Sequence, residues 1–379
     1  MYNRRLLITT VLIHTIIALA VVIFAKRLFP YGGRFPYKEL LPSFSLPTWL
    51  SAWANFDGLH YVKIAQNGYA QYEQAIFPLY PLLIKFVAPL FSQNHLLAGL
   101  IISNICFVIG LYFTIRVLKT HYSLNQTKWF LLLFCTFPTA FFFHAVYTES
   151  LFFMLVTATL FFLQKKRWKL MALCAACASA TRLMGIFLII PIGIETFRTI
   201  KQYNNLTIRT LLTVLSPLLG FGIYALYLWF STGNPFYFFT SQPAFGANRS
   251  TSPILLPQVY YRYFRIFLVS THDLSYFVAL VEFFIFTFSL LLSLWWSYKS
   301  YIQKQWFSFS IGLFSIINIG LPTLTGTLSS VPRYALFSWA PFLLLATSQN
   351  RLIKCGVVVV GALSQVLLLT LFIQGYFVS

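Results

Sequence analysis

The chain has 379 residues, of which 59% are hydrophobic and only 9% are charged, and its mean hydropathy of +0.76 excludes an ordinary soluble domain. Its 27 Lys and Arg residues against 7 acids give a formal net charge of +20. In so apolar a chain we interpret these cations as topology signals and headgroup anchors, not as a nucleic-acid surface. Because the apolar runs are unbroken where a β-barrel needs alternation, we predict an all-α polytopic membrane protein.

The length allows about eleven membrane-spanning helices, so residues 1–379 are predicted to form a single transmembrane domain. Two long outer loops interrupt the spans, at 26–94 and 231–275. In the first loop, residues 57–67 and 76–91 have the pattern of short interfacial helices. The predicted spans lie at 6–25, 95–117, 128–146, 150–163, 169–181, 183–197, 208–230, 276–298, 306–322, 334–348 and 352–377.

The second loop contains "VYYRYFRIF" at 259–267, which alternates aromatic, apolar and basic side chains. This pattern predicts an amphipathic helix lying flat on the membrane. Two interpretations remain open, since such a helix can meet an acceptor or lipid headgroups or can simply anchor the loop.

The basic residues favour a cytoplasmic N-terminus. About 16 of the 27 Lys and Arg residues then fall in short cytoplasmic segments, such as Arg4, Arg5 and the "KKRWK" run at 165–169, where the positive-inside rule gives them most weight. The same orientation brings a set of ionisable residues to the outer face: Asp57, Glu73, Glu149, Arg182 and Arg333.

The stretch "SAWANFDGLHYVKIAQNGYAQYEQAIFPLYP" at 51–81 holds two of the seven acids, Asp57 and Glu73. On a helix that starts near Asp57, His60 and Tyr61 lie on the same face, three and four residues further on. Asp57 suits a helix N-cap, and it also suits a general base in a partly dry site. A capping carboxylate can also act as a base, so the two interpretations do not exclude each other.

Three further ionisable residues occupy apolar surroundings, where charges are costly and usually serve a site. Glu149 in "HAVYTESLFF" suits a first-turn carboxylate stabilised by the helix dipole. Arg182 in "ASATRLMGIF" needs a partner, for which Glu149, a carbonyl oxygen or a phosphate are candidates. Arg333 in "SSVPRYALF" suits a snorkelling anchor. Together, two acids and two arginines predict a site for a phosphate-bearing, membrane-borne substrate and for removal of a proton.

The order "FDGLHYVKIAQNGY", "FPLYP", "FPTAFFFHAVYTESLF" and "SATRLMG" resembles the PIG-V family, the GPI mannosyltransferase 2 type of GT-C glycosyltransferase. The resemblance covers about residues 53–190, and "PRY" at 332–334 is similar to late motifs of GT-C enzymes. It implies a GT-C multi-span bundle that transfers a sugar, usually mannose, with inversion. It also implies a polyprenyl- or dolichyl-phosphate donor, a glycan or glycolipid acceptor, and a site at the extracytoplasmic face of a bacterial plasma membrane or of the endoplasmic reticulum.

The resemblance implies that Asp57 is the catalytic residue, since GT-C enzymes keep an acid in the first outer loop. The expected substrate-binding residues are His60, Tyr61, Glu73, Tyr147, Glu149, Arg182, Arg333 and Tyr334. Glu73 and Glu149 are expected either to bind sugar hydroxyls or to orient Arg182. No DxD motif and no metal-ligand spacing of histidines occur in the sequence, so we predict no metal and no cofactor. The alternatives are a transporter or flippase of lipid-linked sugars and a non-catalytic subunit of a glycan-assembly complex.

Overall fold

The computed structural model describes residues 2–33, 35–203, 208–246 and 249–378, and within these ranges all regular structure is helical. The α-helices, numbered in chain order, are α1 (Tyr2–Leu28), α2 (Thr48–Ser51), α3 (Asp57–Asn67), α4 (Leu79–Val87), α5 (His95–His121), α6 (Leu124–Cys135), α7 (Glu149–Gln164), α8 (Trp168–Thr181), α9 (Ile189–Tyr203), α10 (Ile208–Leu215), α11 (Pro217–Thr232), α12 (Tyr237–Thr240), α13 (Leu256–Val269), α14 (Leu274–Ile302), α15 (Trp306–Gly320), α16 (Val331–Ala335), α17 (Trp339–Thr347) and α18 (Arg351–Ile373).

Shorter 3₁₀ segments connect several of these helices and carry the chain through the loops. They lie at Lys38–Phe44, Ala52–Ala54, Glu73–Ala75, Ala88–Phe91, Ala140–Phe143, Leu183–Leu188, Gln242–Phe245 and Leu321–Thr325.

Five helices in the described part are long and apolar enough to cross a membrane: α1, α5, α14, α15 with the turn that follows it, and α18. Three of them begin at a capping side chain, since Asn94, Asp273 and Asn350 each accept a hydrogen bond from the backbone N–H three residues on. Their outward faces are covered by exposed Ile, Leu, Val and Phe side chains, as a lipid-facing surface requires. The remaining apolar helices are shorter, so the number of about eleven spans stays a prediction.

Helix α7 lies at the centre of the bundle and packs between α5 and α8. Nearly all of its side chains are buried, with Phe152 and Phe153 fully enclosed by neighbouring aromatic rings. Because α7 begins at Glu149, this packing fixes a carboxylate at one end of the core.

The structure has helices at the positions predicted in the two loops, and their placement at the membrane interface stays a prediction. Helix α3 has the predicted bounds of 57–67, helix α4 and its continuation cover Leu79–Phe91 within the predicted 76–91, and α13 contains 259–267. The continuous helix predicted over 128–146 is wrong, because α6 ends at Cys135. Pro138 lacks a backbone N–H and disfavours helical geometry in the residue before it, so the chain continues to Glu149 through turns and the 3₁₀ segment Ala140–Phe143.

The helix predicted over 208–230 is also interrupted, with α10 ending at Leu215 and α11 starting at Pro217. Proline is well suited to the first turn of a helix, where its missing N–H has no partner to lose. The break lets α11 lie against α8, and a Cβ atom at Gly220 would overlap the carbonyl oxygen of Ala176. The Ser179 hydroxyl accepts a hydrogen bond from the Phe221 N–H at the same contact, 3.1 Å away.

We predict that Gly220→Ala destabilises the protein by about 1–3 kcal/mol, because the added methyl group forces α8 and α11 apart. Gly222→Ala on the same helix is the matched control, since nothing lies within 4 Å of the Cβ position there. Thermal unfolding in detergent micelles compares the two variants. Equal unfolding temperatures would show that α8 and α11 do not need this close approach.

Candidate active site

The segment before Asp57 is fixed by hydrogen bonds to distant parts of the chain. The Asn55 amide donates to the Phe372 carbonyl (2.9 Å), the Tyr147 hydroxyl donates to the Asn55 carbonyl (2.8 Å), and the Val146 N–H donates to the Trp53 carbonyl (3.0 Å). Asp57 is the first residue of α3, and no side-chain cap forms at the preceding position. Asp57 is therefore not the N-cap that the sequence suggested, and its carboxylate has a different partner.

That partner is Arg333, which α16 supplies from the last third of the chain. Its Nη1 donates to Asp57 Oδ2 at 2.9 Å, and its Nη2 donates to the Ser330 hydroxyl at 2.9 Å. The same Nη1 lies 3.9 Å from Glu149 Oε1. Arg333 is thus shared between two carboxylates that come from different helices.

Glu149 also contacts a second arginine, which α8 delivers where it ends. Arg182 adopts an extended backbone conformation after Thr181, and its Nη1 lies 3.0 Å from Glu149 Oε1. Of the three candidate partners for Arg182, a carbonyl oxygen, a phosphate and Glu149, the structure places Glu149 beside it. The four residues form a continuous chain of alternating charge, which we call the acid–arginine chain: Asp57, Arg333, Glu149 and Arg182.

Burial differs sharply along this chain. The side chain of Glu149 is 1% exposed, those of Arg333 and Arg182 are 10% and 11% exposed, and that of Asp57 is 33% exposed. Within the described residues, neither Glu149 oxygen accepts a well-formed hydrogen bond, and Arg182 Nη1 and Arg333 Nε donate none. Buried polar atoms are rarely left in this state. Glu149 and Arg182 are thus held together by charge more than by well-aligned hydrogen bonds, and Asp57 is the accessible end of the acid–arginine chain.

Burial of Asp57 raises its pKa, but the positive charge of Arg333 and the hydrogen bond from it outweigh this effect. His60 and Arg249 add smaller electrostatic attractions, and the net pKa of Asp57 lies below its ordinary value. The carboxylate is therefore ionised at neutral pH, which is the state that accepts a proton.

Glu73 lies in a second cluster beside the acid–arginine chain. Its carboxylate contacts His60 Nδ1 and Lys63 Nζ, each at 3.3 Å, and accepts a hydrogen bond from the Ala70 N–H at 2.9 Å. Burial raises the pKa of Glu73, but these partners together lower it below its ordinary value. The contacts connect α3 to the turn at 70–75. Of the two acids that were expected to bind sugar hydroxyls or to orient Arg182, the structure places Glu149 and not Glu73 beside Arg182.

Three tyrosines predicted to bind substrate surround the arginines. Tyr147 lies 5.3 Å from the Arg333 guanidinium, and Tyr334 lies 4.6 Å from that of Arg182, both measured to the ring centroid. Tyr61 packs edge-on against Tyr80 and Tyr147. Tyr61 and Tyr147 are buried, so they stabilise the acid–arginine chain by packing, whereas Tyr334 is partly exposed.

Three residues near the site were missing from the sequence predictions: Asn55, Ser330 and Arg249. Asn55 and Ser330 lie close in sequence to Asp57 and Arg333, and "SSVPR" places the serine one turn before the arginine. Arg249 is part of the second outer loop, where its guanidinium donates to the Gln242 side chain at 3.1 Å and acts on Asp57 electrostatically. No sequence pattern distinguishes Arg249 from the other basic residues of that loop.

The sequence matches the family described as Mannosyltransferase (PIG-V) over residues 5–210, which is more than half of the chain. The matched range contains Asp57, Glu149 and Arg182, and Arg333 lies beyond it. The chain is also similar to GPI mannosyltransferase 2 of Schizosaccharomyces pombe (strain 972 / ATCC 24843), with 27% identity over 233 residues. This similarity covers 58% of the chain and 50% of that protein, so the chain spans about half the length of this curated relative. No solved structure matches the chain.

We predict that Glu149→Gln lowers the free energy of unfolding by about 3–5 kcal/mol, because two buried arginines lose the carboxylate between them. Glu195→Gln is the matched control, since Glu195 pairs with Arg198 on the surface, where an ion pair contributes about 0–1 kcal/mol. Unfolding in detergent measures both. A Glu149→Gln protein as stable as the control would show that the arginines do not depend on this charge.

Proposed function

The chain belongs to the PIG-V family of mannosyltransferases, and from that premise we propose that it transfers mannose from a polyprenyl- or dolichyl-phosphate donor to a glycan or glycolipid acceptor. Asp57 is the general base of this proposal. The observation that carries it is the acid–arginine chain, in which the accessible carboxylate of Asp57 is adjacent to buried guanidinium groups.

A lipid-phosphate donor suits the charges of the site. Three arginines (Arg182, Arg249 and Arg333) act near two carboxylates (Asp57 and Glu149), which leaves one formal positive charge. A phosphodiester that links a sugar to a lipid carries one negative charge. An enzyme that used a nucleotide-diphosphate sugar would instead bind the diphosphate through a metal. The metal would need acidic ligands such as a DxD motif, which is absent from the sequence.

The proposed reaction is a single displacement. Asp57 accepts the proton of the acceptor hydroxyl while that oxygen forms a bond to the anomeric carbon. The bond from this carbon to the phosphate oxygen breaks on the opposite face, the lipid phosphate leaves with the bonding electrons, and the configuration inverts. Arg182 and Arg333 stabilise the negative charge that grows on the phosphate. Hydrogen bonds from the sugar hydroxyls to Glu149 would satisfy its buried oxygens.

We place the reaction at the extracytoplasmic face, since the distribution of basic residues favours a cytoplasmic N-terminus. Asp57 lies in the first outer loop and Arg249 in the second, so both loops contribute to the site. A donor anchored in the membrane by its lipid would then present its phosphate close to the headgroup level. Family similarity alone does not identify the acceptor, which the labelled product of the transfer assay would reveal.

We predict that Asp57→Asn lowers the rate of transfer by about a hundredfold to ten thousandfold, because the amide cannot accept the hydroxyl proton. The assay follows labelled mannose from polyprenyl-phosphate-mannose into membrane glycans. Asp273→Asn is the control, since Asp273 caps α14 at an exposed position and Asn caps equally well. Transfer by Asp57→Asn at the rate of the control would exclude Asp57 as the base.

The pH dependence provides a second readout of the same carboxylate. The active form is deprotonated, and Arg333 keeps the pKa of Asp57 below its ordinary value. The rate of transfer should therefore be independent of Asp57 titration from about pH 8 to pH 5 and should fall only at more acidic pH.

The unmutated protein tests the alternative functions. If it transfers no sugar from this donor or from other lipid-linked sugars, the result would favour a transporter or a non-catalytic subunit.

We predict that Arg182→Lys raises the donor KM about tenfold, because an ammonium group cannot contact Glu149 and a phosphate with the planar geometry of a guanidinium. Arg198→Lys is the control, since Arg198 lies on α9 in an exposed pair with Glu195 and belongs to no contact of the acid–arginine chain that the structure describes. Initial rates at varied donor concentration measure the effect. Unchanged donor kinetics would leave Arg182 as a structural partner of Glu149.

A further inference from the structure

Helix α14 contains one acid, Glu282, about 12 Å along the helix from its first residue. The Glu282 side chain is buried and accepts a hydrogen bond from the Tyr263 hydroxyl at 2.6 Å. Tyr263 belongs to α13, the amphipathic helix of the second outer loop, and is itself buried. An acid in a helix of membrane-spanning length is energetically costly, and such residues usually have a function. Neither the acid–arginine chain nor the proposed chemistry uses it.

The Tyr263 hydroxyl has a second partner that leads toward the site. It accepts a hydrogen bond from the Leu328 N–H at 3.0 Å. From the preceding position of α13, Arg262 Nη1 donates to the Gly326 carbonyl at 2.9 Å. Gly326 has φ +89°, a conformation that favours glycine, so the turn at 326–328 is tight. Helix α13 contacts all three residues of the turn, since the Tyr263 hydroxyl also lies 3.5 Å from Thr327 Oγ1.

This turn continues directly into the residues that position Arg333. The Val331 N–H donates to the Leu328 carbonyl (3.0 Å), and Ser330 is in the left-handed region with φ +67°. The Ser330 hydroxyl then accepts from Arg333 Nη2, while Nη1 reaches Asp57. A displacement of Leu328 would therefore move the backbone that orients the guanidinium.

We propose that Tyr263, held by Glu282, is a positioning residue for Arg333. By fixing the Leu328 N–H, it sets the Leu328–Ser330 turn and, through Ser330, the place where the Arg333 guanidinium meets Asp57. Glu282 fixes the orientation of the Tyr263 hydroxyl, because a carboxylate can only accept its proton and thereby leaves the oxygen free to accept from Leu328. The effect of Tyr263 on sugar transfer rests on the proposed function, whereas the effect of Tyr263 on the turn does not.

A neighbouring tyrosine separates positioning from simple helix packing. Tyr260 also joins α13 to α14, since its hydroxyl forms a hydrogen bond with Thr287 Oγ1 at 3.0 Å. Its hydroxyl has no hydrogen bond to the turn at 326–328 within the described part of the chain. Tyr260→Phe and Tyr263→Phe thus remove the same group from the same pair of helices, and both keep the aromatic ring.

The experiment measures backbone hydrogen exchange across 326–333 together with transfer of labelled mannose. Tyr263→Phe should speed exchange in this segment about fivefold, because the Leu328 N–H loses its acceptor. It should lower kcat about tenfold to a hundredfold, since small displacements of catalytic groups have effects of this size. Tyr260→Phe should change neither quantity. Glu282→Gln keeps an acceptor for Tyr263 and should retain most of the activity.

A double-mutant cycle tests whether Tyr263 acts through Arg333. In an Arg333→Lys background, Tyr263→Phe should cause little further loss of kcat. The proposal is overturned if exchange is unchanged by Tyr263→Phe, if Tyr260→Phe has the same effects, or if the losses from Tyr263→Phe and Arg333→Lys add. If the unmutated protein transfers no mannose, the proposed function fails, and the difference in exchange between the two tyrosine variants still decides whether Tyr263 fixes the turn.

Discussion

The site depends on the shared position of Arg333, whose guanidinium contacts Asp57 at 2.9 Å and approaches Glu149 at 3.9 Å. A buried charge is tolerated only when an opposite charge or a well-formed hydrogen-bond network compensates for its lost hydration. Arg333 meets this condition for both acids, and Arg182 completes the compensation of Glu149 at 3.0 Å. Because each member of the acid–arginine chain comes from a different segment, the ion contacts also fix how α3, α7, α8 and α16 are arranged around one point.

The sequence predicted those parts of the site that depend on local patterns. The bounds of α3 agree with the predicted 57–67. The cost of an arginine in apolar surroundings predicted that Arg182 has a partner, and Glu149 was one of three candidates. The contact between Arg333 and Asp57 spans 276 positions, and no periodicity or local motif encodes such a distance. Arg249 and Glu282 were missed for a related reason, since their importance comes from the tertiary neighbours that α13 and its loop bring to them.

The errors in the predicted helices have a common physical cause. Apolar composition extends through residues 136–148, but Pro138 ends the helical hydrogen-bonding pattern, and the chain fills the core with turns instead. Such turns are tolerated only where other groups satisfy the backbone, and here the Val146 N–H binds the Trp53 carbonyl while the Phe143 carbonyl accepts from the Ser150 hydroxyl. The same segment brings Tyr147 and Glu149 against the loop that contains Asp57. The interruption of the helix before Pro138 therefore forms one side of the site.

The backbone at Phe56 shows how firmly Asp57 is placed. Phe56 has φ +58° and ψ −119°, a conformation that costs a bulky residue about 1–3 kcal/mol. It persists because the residue before it is bonded to Phe372 and Tyr147, and because the Phe56 ring packs against Phe35. A relaxed backbone here would turn α3 and withdraw the carboxylate from Arg333. The strain therefore has a geometric effect, since it directs the one accessible acid of the acid–arginine chain toward Arg333. In the proposed reaction, this arrangement would reduce the reorganisation needed when a substrate binds.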